Sequence, residues 1–303
     1  MNGKMSISSK CLVVSALAGF CSTFLVGCSD SGADAKKVEK KVEVQQPLKK
    51  TEQSDAEKRF AARNQPRTVE LSAVELGDLS KYQDMLNPMT ALRIYTAQHA
   101  WDETQDDVVE SVKNAILVRD ENPDLYKFSY DILTTKDTFK KKDLSDKIFT
   151  IVKDEASKSG SNRLVKAVIP DHLAAYDFAS KGFKVSGCMF SDKLEYSAEE
   201  MRNQESFKRA APTRCYYNPG PKDYLIGLTG GSSVFFDVPD EAQARKIEAA
   251  RPTSNVVVYG YVKNIQREII TDRFGPKHYV LVAPQRVDVV DTASGTVLLS
   301  KTL

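Results

Sequence analysis

Two valine-rich stretches decide the fold class of this chain: NVVVYGYV at residues 255–262 and YVLVAPQRVDVV at residues 279–290. β-Branched and aromatic side chains fit the pleated surface of a sheet, so both stretches predict β-strands. Gly275-Pro276 and Ser294-Gly295 bound the second stretch, and such dipeptides favour turns. We therefore expect both stretches to form strands of a mainly antiparallel sheet.

Shorter strands are predicted at residues 164–169, 183–190, 224–228, 233–238 and 296–300. Thr229-Gly230-Gly231-Ser232 joins the third of these to the fourth. Two adjacent glycines between β-rich runs favour a tight turn, because its central positions need a positive φ. We expect these two strands to pair as a hairpin.

The first half of the chain has helical periodicity instead. Apolar residues recur at helical spacing over residues 89–118 and 143–158, and Asn122-Pro123 is typical of a helix stop. Residues 125–139 are rich in aromatics and are not assigned to a helix or a strand, and a short helix is predicted from Asp240 to about residue 250. The predicted fold is α+β, with a helical N-terminal half packed on a mainly antiparallel β-sheet.

The composition excludes several functional classes. The 303 residues carry 43 Lys and Arg against 41 Asp and Glu, a formal charge of +2. A dedicated nucleic-acid binder needs a larger basic surplus to neutralise phosphates, so no nucleic-acid partner is expected. Three histidines leave little room for a histidine-rich metal site.

The first 28 residues have the pattern of an export signal. Lys4 and Lys10 precede an apolar stretch at residues 11–26, which is too short and too early for a spanning helix of the mature protein. The stretch ends in Leu25-Val26-Gly27-Cys28, which resembles the lipobox of bacterial lipoproteins. The resemblance implies that Cys28 Sγ receives a diacylglyceryl group and that cleavage follows Gly27. An ordinary signal peptide, or a short anchor with a cysteine nearby, is the alternative.

This resemblance sets the predicted organisation: a lipoprotein signal peptide at residues 1–27, a lipidated disordered tether at 28–70 and a periplasmic α+β domain at 71–303. The tether is charged and almost free of large apolar residues, so it cannot offset its ordering entropy. The acyl chains on Cys28 imply a bilayer anchor. Ser29 stands where an aspartate would resemble an inner-membrane retention signal, which favours the outer membrane, facing the periplasm.

The remaining cysteines predict a disulfide. Cys11 and Cys21 leave with the leader and Cys28 takes the lipid, so Cys188 and Cys215 form an even pair in an oxidising compartment. A redox pair is the alternative, but the Cys-x-x-Cys spacing that lowers a thiol pKa is absent from this sequence.

No motif predicts a catalytic residue, a cofactor or a metal ligand. Gly-Gly-Ser-Ser at residues 230–233 lacks the Gly-x-Ser-x-Gly pattern of a nucleophile elbow. His99, His172 and His278 have no metal-binding spacing. A hydrolytic site that uses His172 or His278 as its base remains an open alternative.

Tyr216 and Tyr217 form a candidate binding loop. They follow Cys215 and precede Asn218-Pro219-Gly220-Pro221, a stiff segment beside the predicted disulfide. Exposed aromatics on a constrained loop suit a protein or glycan partner. The alternative is that both tyrosines pack over the disulfide.

The mature region resembles uncharacterised secreted or lipid-anchored proteins of proteobacteria in two places, Ala175-Tyr176-Asp177-Phe178 with Gly182-Phe183 and residues 238–245. This resemblance implies no catalytic residue. We therefore expect a non-catalytic envelope lipoprotein that contacts the bilayer through acylated Cys28 and binds an envelope protein or cell-wall partner. A periplasmic hydrolase of envelope polymer is the alternative, and a structural subunit of an envelope assembly, with a large apolar patch, is a third hypothesis.

Overall fold

The structure is a computed structural model, and it describes Ser54 and residues 67–113, 115–185, 189–191, 215–230, 233–268 and 276–303. Over these residues the chain forms five α-helices and nine β-strands. The helices are α1 (Thr90–Gln98), α2 (Gln105–Ser111), α3 (Pro123–Thr134), α4 (Thr138–Ser159) and α5 (Glu241–Ala250). The strands are β1 (Arg67–Glu70), β2 (Gln83–Asp84), β3 (Leu164–Pro170), β4 (Gly182–Val185), β5 (Tyr224–Leu228), β6 (Val234–Asp237), β7 (Ser254–Glu268), β8 (Lys277–Asp291) and β9 (Val297–Thr302).

Strands β7 and β8 form the centre of the main sheet. Each has 15 residues, and they pair antiparallel from Ser254↔Asp291 to Glu268↔Lys277. The main sheet has the order β2-β3-β7-β8-β5, with β1 on β7 and β9 on β8. Both valine-rich stretches are thus strands, as predicted. Each strand is longer than its valine-rich stretch and includes polar residues beyond it.

The main sheet is mixed, with most of its pairings antiparallel. Two pairs, β2–β3 and β5–β8, are parallel. Strand β6 does not pair with β5, because it pairs antiparallel with β4 in a separate two-stranded sheet. The predicted hairpin between residues 224–228 and 233–238 is therefore wrong. Gly230 does have a positive φ of 114°, but the chain leaves β5 there for the other sheet.

The predicted helix over residues 89–118 is two helices, α1 and α2, followed by a short 3-10 turn at Ile116–Val118. The break occurs because Thr104 starts a new helix. Its Oγ1 accepts from the Asp107 amide at 3.2 Å, and the Asp107 carboxylate accepts from the Thr104 amide at 3.0 Å. This capping box satisfies two backbone amides at the helix start. Residues 99–103 consequently form a loop.

Asn122 and Pro123 begin a helix rather than end one. Asn122 Oδ1 accepts from the Leu125 amide at 2.9 Å, and Pro123 occupies the first turn of α3, where its missing N–H costs nothing. Helix α4 also begins earlier than the predicted start at Asp143. Asp137 Oδ1 accepts from two amides of its first turn and fixes the start there.

Helix α1 packs against β5, β8 and α4. The end of α4 approaches α1 closely at Gly160, where a Cβ would lie 2.4 Å from Arg93 O and 2.5 Å from Ala97 Cβ. A glycine is needed for this approach because any side chain collides with the neighbouring backbone. Arg93 Nη2 and Glu155 Oε2, 2.6 Å apart, form an ion pair between the same two helices.

The described residues have an α+β fold. Helices α1 to α4 lie between β2 and β3 in the chain, so two strands precede them. Most of the first 66 residues lie outside the described part, so a helical N-terminal half remains a prediction. The folded domain includes β1, which begins at Arg67, ahead of the predicted domain start at residue 71. In the described ranges no helix is both long and apolar enough to cross a membrane.

Candidate functional site

Glu103 is the centre of a buried polar cluster. Its side chain lies in the loop between α1 and α2 and is 5% exposed. Glu103 Oε1 accepts a hydrogen bond from Tyr95 Oη at 2.7 Å and another from Trp101 Nε1 at 3.2 Å. Tyr95 comes from α1, and the cap at Thr104 fixes the other end of the loop, so local structure holds the carboxylate in place.

Strands β7 and β8 bring Arg267 and His278 to the same carboxylate. These residues are direct cross-strand partners, so their side chains share one face of the sheet. Arg267 Nε lies 3.8 Å and His278 Nε2 lies 3.7 Å from Glu103 Oε1. Arg267 is 1% exposed and His278 is 0% exposed. Glu103 therefore compensates a positive charge that has no access to solvent.

Two tyrosine rings enclose His278. The Tyr224 ring on β5 stacks on the imidazole with centroids 4.7 Å apart and an interplanar angle of 19°. The Tyr95 ring meets it edge-on at 4.4 Å. Tyr224 Oη lies 3.0 Å from Ser111 Oγ on α2. The cluster thus joins the sheet to α1, α2 and their connecting loop.

Burial and these neighbours set the pKa values of the cluster. Burial alone raises the pKa of Glu103, but His278, Tyr95 and His99 outweigh it and lower this pKa to about 2. Burial, reinforced by Glu103, raises the pKa of Tyr95 well above its usual value. Burial lowers the pKa of His99. At neutral pH the cluster therefore holds an ionised Glu103, a protonated Tyr95 and a neutral His99.

Several buried nitrogen atoms of the cluster have no hydrogen-bond partner within the described structure: Arg267 Nε and Nη2, and both ring nitrogens of His278. Leaving such an atom unpaired costs about 1–3 kcal/mol. An imidazole beside an ionised carboxylate is the pairing that a general base needs.

The described residues contain no group of three metal-binding side chains.

An open groove of about 550 Å³ lies between α5 and the segment at residues 171–181. Its walls include Tyr176, Phe178 and Ala244, and charged side chains such as Glu241 and Arg245 line its rim. Phe178 is 76% exposed, and its ring meets that of Tyr176 at 5.0 Å. The groove therefore offers an accessible aromatic surface beside charged groups.

Hydrogen bonds from Tyr176 hold this groove in shape. Its amide donates to Glu248 Oε2 on α5 at 3.0 Å, and its Oη donates to Val238 O at 3.0 Å. Asp171 and Lys181 have positive φ values of 58° and 53° and turn the chain at the two ends of the segment. Residues 175–178 and residues 241–249 therefore face each other across the groove.

A second groove, of about 620 Å³, lies between α2 and α4. It is lined mainly by polar side chains, among them Gln105, Lys142 and Asp146. His278 and Glu103 line neither groove. Of these two grooves, the one at Phe178 has an exposed aromatic wall.

Tyr216 and Tyr217, the candidate binding loop, are both half-buried. The Tyr216 ring packs on Tyr279 with centroids 5.0 Å apart. The Tyr217 backbone exchanges hydrogen bonds of 2.7 and 2.9 Å with Ile226, and burial raises the pKa of its hydroxyl to about 12. These contacts are made with strands β8 and β5, and a binding role for either tyrosine stays a prediction.

Of the other residues singled out in the sequence, Cys215 and His172 are described by the structure, and Cys28 and Cys188 are not. Cys28 and Cys188 lie outside the described residues, so lipidation and the disulfide stay predictions. Cys215 is buried, and its amide donates to Ser191 Oγ at 2.6 Å. His172 Nδ1 donates to Pro170 O at 2.7 Å, a contact within its own turn.

Sequence reasoning missed Glu103, Arg267 and Tyr224. Arg267 continues β7 beyond its valines, and Asn264 and Gln266 in the same stretch are also buried. A polar stretch that continues a β-rich run was the available signal for an extended strand. Nothing in the sequence showed that Glu103 meets this stretch.

We found no match to this chain among protein-family models, curated proteins or solved structures.

Proposed function

We propose that this chain is a non-catalytic envelope lipoprotein, anchored in the outer membrane through acylated Cys28, and that its periplasmic domain binds an envelope partner in the groove at Phe178. The observation that carries the binding role is the exposed Phe178 ring in a groove of about 550 Å³. Exposed aromatics in concave, partly apolar surfaces are common anchors for partners.

The buried cluster supports a structural role for its ion pairs. Glu103, Arg267 and His278 are almost fully shielded from solvent, and the aromatic rings of Tyr95 and Tyr224 cover the imidazole. A substrate needs access to a general base, whereas a buried ion pair needs only mutual compensation.

The groove chemistry favours a protein segment as the partner. Tyr176, Phe178 and Ala244 offer an apolar surface for one inserted side chain, while Glu241 and Arg245 place both charge signs on the rim. An apolar centre with a polar rim is the usual anatomy of a protein interface. A cell-wall glycan is the competing outcome of the binding test.

The lipid anchor is tested by labelled palmitate. Wild type should incorporate the label and fractionate with the outer membrane, and Cys28→Ala should lose both properties. Label retained in Cys28→Ala, or an unlabelled wild-type protein, would contradict the anchor.

The groove is tested by photo-crosslinking in whole envelopes. A photoreactive residue at position 178 should form one discrete protein adduct, which Arg245→Glu should weaken. The matched control is the same residue at position 297, because Val297 is also an exposed apolar residue but lies on β9. Equal adducts from both positions, or an adduct with cell-wall glycan only, would count against the proposal.

The second candidate is a periplasmic hydrolase of envelope polymer, favoured by the 3.7 Å approach of His278 Nε2 to Glu103 Oε1. Its test is the release of soluble fragments from purified envelope polymer by wild type and by His278→Gln. Release by wild type that His278→Gln abolishes, while the variant keeps its thermal unfolding curve, would replace the non-catalytic proposal. No release by wild type would dismiss the hydrolase.

A further inference from the structure

The hairpin of α3 and α4 carries an exposed apolar tip. Phe139, in the first turn of α4, is 83% exposed, the highest value among the large apolar side chains of the described residues. Tyr130 and Leu133 in the last turns of α3 are also exposed. A connection of three residues joins the two helices. These side chains give the tip an apolar surface that water solvates poorly.

Lysines surround this tip. Residues 136–142 read KDTFKKK, with four lysines and one aspartate. Within the described residues Lys142 pairs with Asp146 at 2.9 Å, while Lys136, Lys140 and Lys141 are exposed and form no ion pair. The tip therefore combines a free aromatic ring with free positive charge.

Two acidic side chains near the tip, Asp137 and Asp146, are engaged. Asp137 Oδ1 accepts from the amides of Phe139 and Lys140 at the start of α4, where the helix dipole favours a negative charge. Asp146 accepts from Lys142 and from Gln105 Nε2. Asp131 and Asp143 lie in the adjoining turns, outside the KDTFKKK segment, whose own formal charge is +3.

We propose that this tip binds the surface of an anionic bilayer. The Phe139 ring enters the headgroup region, and Lys136, Lys140 and Lys141 extend their apolar stems along it while their ammonium groups contact lipid phosphates. The lysines without an ion pair favour this partner, because each lysine near an anionic surface raises the binding constant about fivefold. The contact belongs to the folded surface of the domain and does not depend on lipidation of Cys28.

The experiment places a tryptophan at the tip of the full chain through Phe139→Trp. The probe is a vesicle of equal parts phosphatidylglycerol and phosphatidylcholine with brominated acyl chains, which quench indole fluorescence on contact. Wild type supplies the background, because its one tryptophan, Trp101, is buried. The matched control is Phe178→Trp, since Phe178 is 76% exposed on another surface.

Quenching of the Phe139→Trp chain, without quenching of the Phe178→Trp chain, supports the proposal. Adding Lys140→Glu and Lys141→Glu to Phe139→Trp should weaken partitioning at least about 25-fold, with an unchanged thermal unfolding curve as the folding control. Equal quenching by vesicles of phosphatidylcholine alone, equal quenching of both tryptophan variants, or no quenching would overturn the proposal. The proposal would also be overturned if a photoreactive residue at position 139 formed an adduct with an envelope protein and not with lipid. Loss of palmitate labelling or of the groove adduct would instead count against the proposed function.

Discussion

Glu103 Oε1 lies 3.7 Å from His278 Nε2 in the interior of the domain, although the two residues lie far apart in the sequence. Arg267 Nε lies 3.8 Å from the same oxygen. The contact joins the loop between α1 and α2 to the central strand pair β7–β8. An ionised carboxylate at this position compensates the buried arginine and links helices to sheet, which gives the first prediction.

Glu103→Gln should destabilise the domain by about 3 kcal/mol at pH 7, because it removes the charge that compensates Arg267. The folded-state pKa of Glu103 is about 2, below its ordinary 4.5. A lowered pKa contributes stability that is complete above pH 4.5 and is lost as the pH falls through the folded value. Urea unfolding at several pH values should therefore show the gap between wild type and Glu103→Gln closing from pH 4.5 toward pH 2.

The control is Glu110→Gln, an exposed glutamate on α2 paired with Lys113. Exposed ion pairs contribute little, so its effect should stay below about 1 kcal/mol at every pH. A gap for Glu103→Gln that is independent of pH would contradict the lowered pKa.

Tyr95→Phe should cost about 1–3 kcal/mol, since it removes the 2.7 Å hydrogen bond to the Glu103 carboxylate and leaves the ring in place. Tyr130→Phe is the matched control, because Tyr130 lies on a helix surface and is exposed. Thermal unfolding measures both. Equal melting temperatures for the two variants would show that the Tyr95 hydroxyl is not a significant partner of Glu103.

Gly160→Ala should destabilise the domain by about 1–3 kcal/mol. The added Cβ would lie 2.4 Å from Arg93 O, so α1 and α4 must separate. Gly77→Ala should change the free energy of unfolding by less than about 0.5 kcal/mol, because no atom lies within 4 Å of its Cβ position. Chemical denaturation of both variants is the measurement, and a neutral Gly160→Ala would contradict the close approach of the two helices.

Reduction of the predicted Cys188–Cys215 disulfide should lower the free energy of unfolding by about 3 kcal/mol, the loop-closure contribution expected for a loop of this size. The measurement is urea unfolding with and without reductant. Cys188→Ser should unfold as reduced wild type does and should not respond to reductant. Identical wild-type curves in both conditions would show that no such disulfide stabilises the domain.

The strands were predicted more accurately than the helices. Residues 224–228 form β5 with the predicted ends, and residues 233–238 contain β6, because valine and aromatic runs favour strands locally. Their pairing was wrong, since the choice of partner depends on β4 and β8, which the local turn does not specify. The helix break before Thr104 was missed because apolar spacing continues across it, and the capping bonds that interrupt the helix are polar.

The amino-acid sequence alone predicts most of the strands, the valine-rich centre of the sheet, and the lipobox resemblance at Cys28. These follow from local composition and spacing. Three features arise only when the chain folds: Glu103, Arg267 and His278 meet, Tyr176 and Phe178 face α5 across a groove, and Phe139 is left exposed. Such contacts join residues far apart in the chain, and the packing free energy of the whole core selects them, so no local pattern contains them.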